Sequence, residues 1–494
     1  MSRDDEITVY QLGPTCGIDE IEQGKIYAAK VQGFANFGTF VQMNERVKGL
    51  IHKSNVKTRH AERDPILVRV LAIRPNGNID LEEVIVPQYR TEQVARRTGT
   101  SVPLSEIAEK IGRTVCIEGE IAQIKQTSGP TIFTLVDGYG SVNAAAFVEA
   151  GVRAYPEAQL GSGIAVVGEV MQRNNQVQIE VSSLTVLEGI DAEALLKRID
   201  AALEKRAEPA ELPFLVRSDV LERLRPRMRR IAQLIRKAVF EGRPIILRHH
   251  ADADGICAGV SIELAVTSLI RETGADFDAD YFLFKRAPSK APFYEIEDIT
   301  RDLDFALKDA ARYGQKLPMI ILADNGSTIE DEPSLQFAAV YHLSIIVIDH
   351  HHPDDAIDRY LVAHVNPYHE GGDFGITSGM LGAEIARMIN PSVEDLVRHI
   401  PAVSAVGDRS EALERKLYLN LVADHYTEEA CKEIALALDY EQFWLRFNDG
   451  RELVKDILDL SGDAFRHKNL VRLLVDQANA AIAEQLDAGL PHVV

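Results

Sequence analysis

Ile345-Ile346-Val347-Ile348-Asp349-His350-His351-His352 is the stretch on which the reading of this chain turns. Its first half is an unbroken β-branched run, the pattern of a parallel strand buried on both faces, and ligands gather where such strands end. Two more segments repeat the arrangement. Ile245-Ile246-Leu247 leads into His249, His250, Asp252, Asp254 and Gly255, and Met319-Ile320-Ile321-Leu322 leads into Asp324, Asn325 and Gly326. Helical stretches separate the three, which predicts one rim of a parallel sheet crowded with carboxylates and imidazoles. A single Asp after a strand is commonly a turn former or a helix N-cap. Three runs, two of them containing His, exceed what capping explains. Oxygen and imidazole donors without thiolates suit Mn²⁺ or similar divalent ions rather than structural zinc. Asp408, in Ala402-Val403-Ser404-Ala405-Val406-Gly407-Asp408, is a further acidic candidate.

These residues resemble the motifs of the DHH phosphoesterase superfamily, which includes the single-strand exonuclease RecJ, manganese inorganic pyrophosphatases and oligoribonucleases. The matching pieces are Asp252-Ala253-Asp254-Gly255, the isolated Asp324, Asp349-His350-His351 and the late Asp408, in the family's order within residues 235–425. The resemblance implies that His250, Asp252, Asp254, Asp324, His350 and Asp408 ligate two divalent ions, Mn²⁺ first and Mg²⁺ as the alternative. It further implies catalytic roles for Asp324, bridging the ions, and for His351, facing the scissile phosphate. Asp349 would stand behind the ligands and orient an imidazole. Many members carry a ligand His four residues before the first Asp of the pair, where this chain has Arg248. The archaeal RecJ-like branch has H-x-D-A-D-G instead, which His250 satisfies, and His249 falls outside the ligand set. Paired cations activate water and clamp a phosphate, so no nucleophilic Ser or Cys is required. No G-x-x-x-x-G-K-[ST] loop occurs.

A chain of 494 residues predicts about three domains. Hydrophobic content of 46% is that of a globular protein. No apolar run reads as a bilayer span, and the start Met1-Ser2-Arg3-Asp4-Asp5-Glu6 is no signal peptide. Cys16, Cys116, Cys257 and Cys431 are scattered without a C-x-x-C, so neither a zinc ribbon nor a disulfide framework is implied, and the expected setting is the cytoplasm. The net charge of −21 opposes nucleic-acid binding as a whole-chain number, yet a local basic track can coexist with it. Two tracks qualify. Arg225-Pro226-Arg227-Met228-Arg229-Arg230 lies on an amphipathic helix and reads equally as DNA contact or solvated face. Lys285-Arg286-Ala287-Pro288-Ser289-Lys290 follows a predicted strand Tyr281-Phe282-Leu283-Phe284, as a loop at the rim where Lys285 and Arg286 would meet phosphate.

The N-terminal portion alternates with period two: Gly24-Lys25-Ile26-Tyr27-Ala28-Ala29-Lys30-Val31, Phe34-Ala35-Asn36-Phe37-Gly38-Thr39-Phe40-Val41, then Gly49-Leu50-Ile51-His52-Lys53-Ser54. This predicts a small antiparallel barrel and resembles the S1 domain. Phe37, Phe40 and His52 fall where that family presents its nucleic-acid-binding surface, and aromatic faces accept any base; Phe34 reads as barrel core. Val115-Cys116-Ile117, Thr131-Ile132-Phe133, Ser141-Val142, Ile164-Ala165-Val166 and Val177-Gln178-Ile179 open five further strands. With the Asp137-Gly138-Tyr139-Gly140 turn they resemble the anticodon-binding OB-fold, and Lys125, Gln126, Arg173 and Asn174 would line its groove.

The resulting organisation is a tail over 1–20, an S1-like barrel over 21–88, a linker over 89–110, an OB-fold over 111–190 and a helical connector over 191–234. An α/β DHH domain with a mostly parallel sheet then spans 235–425, and a helical segment 426–494. The glycine-rich run typical of the DHHA1 domain is not evident. The expected function is metal-dependent, RecJ-like hydrolysis of single-stranded DNA or RNA, with replication or repair proteins as further partners and no membrane. The alternatives are a phosphodiesterase for oligonucleotides or cyclic dinucleotides, and a non-catalytic replisome scaffold that keeps the fold.

Overall fold

The structure, a computed structural model, describes residues 7–13, 16–74, 77–94, 102–173, 176–273, 279–446 and 448–489. Asn174, and parts of the expected tail and linker, lie outside them. The chain divides into two compact units, Met1–Ser101 and Val102–Val494.

The first unit holds β1 (Thr8–Leu12), β2 (Ile26–Ala35), β3 (Gly38–Gln42), β4 (Lys48–His52), β5 (Pro65–Ile73), β6 (Ile79–Glu83) and β7 (Arg90–Val94). β2, β3, β4, β6 and β5 close into a ring, and β1 and β7 extend it beside β2. Tyr27, Val31, Val41, Ile51, Val68 and Leu81 fill the barrel. Alternation along β2 turns Ala29 and Val31 inward. A bulge between Val31 and Gly33 breaks that alternation before Phe34, which is 54% exposed. That corrects the expectation that Phe34 is core. Phe37 and Phe40 are exposed as well, with ring centroids 6.1 Å apart, edge to face.

In the second unit β8 (Thr114–Gln126), β9 (Thr131–Val136), β10 (Ser141–Ala146), β11 (Gly163–Arg173) and β12 (Gln176–Val186) form a closed barrel. Asp137 caps its glycine turn, accepting hydrogen bonds from the Tyr139 and Gly140 amides at 2.8 and 2.9 Å. Helices α1 (Gly189–Arg206) and α2 (Asp219–Phe240) follow, α2 running through the expected boundary at 234. Leu221, Leu224, Met228, Ile231 and Ile235 are its buried stripe. The arginines on its other side are engaged within the chain. Arg225 pairs with Glu222 and lies over the Phe214 ring, Arg227 pairs with Glu370, Arg229 with Glu211 and Arg230 with Glu204. This corrects the DNA-contact reading of the track: its charges hold loops and helices together.

The remainder is an α/β domain. β13 (Ile245–His250) leads into α3 (Ala253–Glu272), then α4 (Ala279–Leu283), β14 (Phe284–Ser289), α5 (Ile296–Tyr313), β15 (Met319–Ala323), α6 (Glu332–Val340), β16 (Ser344–Ile348) and β17 (Ala363–Val365). All five strands are parallel, in the order β14-β13-β15-β16-β17. α7 (Ser378–Ile389), α8 (Glu394–Val397), α9 (Ile400–Gly407), α10 (Leu413–Val422), α11 (Glu428–Leu445), α12 (Arg451–Ile457) and α13 (Ala464–Gly489) complete it. α3 is long and apolar enough to cross a membrane by length and composition, which corrects the reading that no such run exists; nearly all of it is buried within this domain.

The predicted strand at Tyr281 is also corrected. Residues 279–283 are helical and the strand begins at Phe284. β14 is an edge strand, which is why it tolerates Pro288. Lys285 therefore pairs opposite Ile246, at the amino end of the sheet, where its ammonium lies 4.6 Å from the Phe305 ring centroid. Arg286 is 4% exposed and pairs with Glu263 at 2.7 Å. Neither stands at the rim.

The OB barrel is fastened to this domain. Ile124 donates its amide to the Gly314 carbonyl at 3.1 Å, Lys316 pairs with Glu120 at 2.8 Å, and Gln123 bridges to Gln315.

Candidate metal centre

Sheet register builds the site. His249 of β13 lies beside Ala323 of β15, and Ala323 beside Ile348 of β16, so the next residues, His250, Asp324 and Asp349, emerge level at the carboxyl ends. Asp324 leaves its strand with φ of 59°, a left-handed conformation that Asp tolerates better than most residues, and its amide donates to the Ile348 carbonyl at 2.9 Å. That turn directs its buried carboxylate into the cluster.

Three imidazoles surround Asp324. His250 Nδ1 is 3.5 Å from Asp324 Oδ2 and 2.8 Å from Asp252 Oδ2. His350 Nε2 is 3.3 Å from Asp324 Oδ1 and 3.6 Å from Asp254 Oδ2, and its Nδ1 is 3.8 Å from Asp408 Oδ2. His350 Nδ1 donates to the Phe374 carbonyl at 2.6 Å, which leaves Nε2 as the free ligand atom. His351 Nδ1 is 2.8 Å from Asp349 Oδ1 and 3.9 Å from Asp324 Oδ1. The expected ligands His250, Asp252, Asp254, Asp324, His350 and Asp408 thus stand together, with Asp349 behind His351.

Helices supply the other carboxylates. Asp252 is the N-cap of α3, accepting from the Gly255 amide at 2.9 Å, so it is a cap and a cluster member at once. Gly255 is required there, because a Cβ would lie 2.2 Å from the His250 carbonyl oxygen. Asp254 sits at the N-terminus of α7, where the Ser378 and Gly379 amides donate at 2.9 and 2.8 Å and the Ser404 hydroxyl adds a third bond. Asp408 follows the C-terminus of α9.

Electrostatics follow from this crowding. Burial opposes charge on Asp324, but hydrogen bonds from His250 and His350 outweigh it and hold the carboxyl below its usual range. Burial and the Asp324 charge push Asp254 up. Burial, tempered by His350, leaves Asp408 at about 6. Burial also works against the imidazolium forms, yet Asp252 and Asp324 raise His250 to about 10 and Asp349 raises His351 to about 9. Protons on these rings balance the carboxylates where cations would otherwise do so.

The donor set fits divalent ions. Asp324, His350 and His351 form one group with converging ligand atoms, His250, Asp252 and Asp324 a second, and Asp324 belongs to both. Asp349 Oδ2 and both polar atoms of the Asn325 side chain are buried without hydrogen-bond partners. Lone pairs left in this state are costly unless a ligand engages them.

His249 stands outside the cluster. Its Nδ1 donates to the His250 carbonyl at 2.6 Å and its Nε2 accepts from Arg286 at 2.9 Å. Burial, then the Arg286 charge, lowers it to about 3. Arg248, at the position where many DHH proteins carry a ligand His, forms buried ion pairs with Asp298 and Asp302 at 2.8 and 2.7 Å. Sequence reading missed the Ser378-Gly379 cradle and Asp439, which accepts from the Ala253 amide at 2.7 Å and is raised by burial, then Asp252, to about 6. The N-cap Thr377 before an apolar helix was a usable signal for the first. Asp439 lies inside α11 and had none.

Comparisons agree with the two barrels and the sheet. A family model described as S1 RNA binding domain matches residues 20–82, and one described as OB-fold nucleic acid binding domain matches residues 115–187. An uncharacterized protein of Methanocaldococcus jannaschii is 42% identical over 516 residues, covering 98% of this chain and 67% of the relative. A solved structure described as the DHH domain of a member of the S1p family of ribosomal proteins is 43% identical, with a TM-score of 0.60 over 62% of this chain and 72% of that one. A crystal structure of exonuclease RecJ bound to manganese is 17% identical over 54% of this chain and 69% of that one, with a TM-score of 0.38. The chain belongs to the family of these two relatives above 40% identity, in which S1 and OB-fold barrels stand ahead of a DHH domain.

Proposed function

We propose that this protein is a metal-dependent phosphodiesterase that shortens single-stranded nucleic acid. The observation that carries the reading is Asp324, shared by two groups of converging carboxylate and imidazole ligands at the carboxyl rim of a parallel sheet. His250, Asp252, Asp254, Asp324, His350 and Asp408 would hold two divalent ions, with Mn²⁺ suited to their mixed donors. Bound there, the pair would lower the pKa of an attacking water and neutralise charge on the phosphate.

The chain's own groups do the rest. Asp349 holds the His351 ring through Nδ1. His351 is 38% exposed beside Asp324, where its ring would stand ready to give a proton to the leaving oxygen. The Ser378 and Gly379 amides fix Asp254, and the strained turn fixes Asp324, so neither carboxylate needs to reorganise. Two barrels of nucleic-acid-binding families favour a long strand over a cyclic dinucleotide. The filled ligand positions favour catalysis over a scaffold. Replication or repair proteins as partners and a cytoplasmic setting belong to the same proposal.

Labelled single-stranded DNA and RNA, blocked at either end and incubated with Mn²⁺, test the reading. Products should appear from one unblocked end and vanish with EDTA. Asp324→Ala should lose at least about 10³-fold in rate with its fold intact, as expected for several kcal/mol of transition-state stabilisation. Wild-type turnover by that variant would overturn the assignment.

A further inference from the structure

The rim holds a second feature beside the cluster. Loops leaving β15, β16 and β17 border a shallow, solvent-open cavity of about 820 Å³, lined among others by Glu330, His352, Asp354, Asp355, Tyr368 and His369. The cavity adjoins the centre through the backbone: His352 directly follows His351, and Tyr368 lies two residues after Asn366. The Asn366 side chain donates to the His351 carbonyl at 2.7 Å.

Its chemistry is unlike that of a phosphate site. Glu330, Asp354 and Asp355 line it, and among the described residues no Lys or Arg does. His369 is pushed below the usual imidazole range by burial, so it adds no positive charge at neutral pH. A phosphate placed here would face like charge. An uncharged nucleoside would not. The His352 and Tyr368 rings, 4.9 Å apart and tilted by 59°, offer aromatic surface to a base. The volume lies within the range of small-molecule pockets.

We propose that this cavity seats the terminal nucleoside of the strand, on the far side of the scissile phosphate, and selects a hydroxyl over a phosphate at that nucleoside's free end. The proposal rests on the hydrolytic reading of the neighbouring centre, and it makes the enzyme end-dependent: the acidic lining stops the backbone from continuing through.

The test uses the full chain and short single strands with a fluorophore at one end and either hydroxyl or phosphate at the other, in both polarities. Anisotropy in metal-free buffer reads binding without turnover, and hydrolysis in Mn²⁺ is followed separately. A phosphate at the end that enters the cavity should weaken binding about fivefold, the scale of one close like-charge contact in water; the same phosphate at the other end should not. Glu330→Gln combined with Asp355→Asn, both exposed positions, should reduce the penalty, leaving Asp354 as the remaining charge. Tyr368→Ala should weaken the hydroxyl-ended strand about tenfold through lost stacking. Equal affinity for hydroxyl and phosphate at both ends, or a penalty undiminished in the neutralised pair, overturns the proposal. A strand that shows the end preference but is never cut supports the cavity assignment and overturns the hydrolytic reading.

Discussion

His249 and His250 are neighbours of identical chemistry with opposite fates. Strand alternation sends one ring to Arg286 in the core and the other to Asp252 and Asp324 at the rim. The consequence for His249 is a pH-dependent stability. Its imidazole stays neutral in the fold, held down to about 3 by burial and Arg286, while in the unfolded chain it titrates at the ordinary imidazole value of 6.5. Below that value the unfolded state takes up a proton that the folded state refuses. The contribution is therefore intact above pH 6.5 and is lost progressively as the pH falls from there toward 3. His249→Gln retains an acceptor for Arg286 without the titration. Thermal unfolding in EDTA should give wild type a steeper loss between neutral and acid pH than the variant. Parallel curves would show that His249 does not titrate on unfolding. At neutral pH the variant should cost about 1–3 kcal/mol, the scale of disturbing a buried hydrogen bond.

The contact between α3 and α7 is what brings Asp254 to its amides. α7 approaches so closely at Gly382 that a Cβ there would lie 2.8 Å from the Ala258 Cα and 3.1 Å from its carbonyl oxygen, both backbone atoms unable to yield cheaply. Gly382→Ala should force the helices apart. The expected cost is about 1–3 kcal/mol of stability, typical of overpacking. Metal affinity should fall as well, because the Ser378 and Gly379 amides would retreat from Asp254. Calorimetric titration with Mn²⁺ beside a denaturant melt separates the two effects. Unchanged affinity in a destabilised but folded variant would mean that the cradle does not govern the ligand.

At the scale of the whole chain, a net charge of −21 and a nucleic-acid partner are reconciled by where the charges lie. The arginines of α2 serve ion pairs inside the chain, whereas the S1 barrel exposes Phe34, Phe37 and Phe40, with Lys48 and His52 exposed on the neighbouring β4. Changing Phe37 and Phe40 together to Ala should remove about 1–3 kcal/mol of binding per base contact on long single strands. Dinucleotide hydrolysis should barely change, and long-strand affinity should fall with rising salt as counterions are released. Equal loss on long and short substrates would mean that the rings support the fold. No loss on either would mean that the barrel serves a protein partner.

Much of the molecule was legible in its residues. Continuous β-branched runs ending in Asp and His specify parallel strands and their rim, because burial on both faces and ligation at carboxyl ends each leave a local mark. The two barrels were legible from period-two alternation and glycine turns for the same reason. Phe34 was harder: it looked like core, but a bulge after Val31 breaks the alternation of β2 and the ring is exposed. Lys285 and Arg286 looked like a phosphate clamp until β14 began at Phe284 and put one at the wrong end of the sheet and the other in a buried ion pair. Asp439 and the acidic cavity join segments far apart in the chain, so no local pattern announces them, and the Thr377 N-cap marks the Ser378-Gly379 helix start without saying which carboxylate it holds. Local periodicity determined which elements form and which residues end them. Only packing decided which charges meet a partner within the protein and which are left for a ligand, because neutralisation depends on distances that the order of residues does not contain.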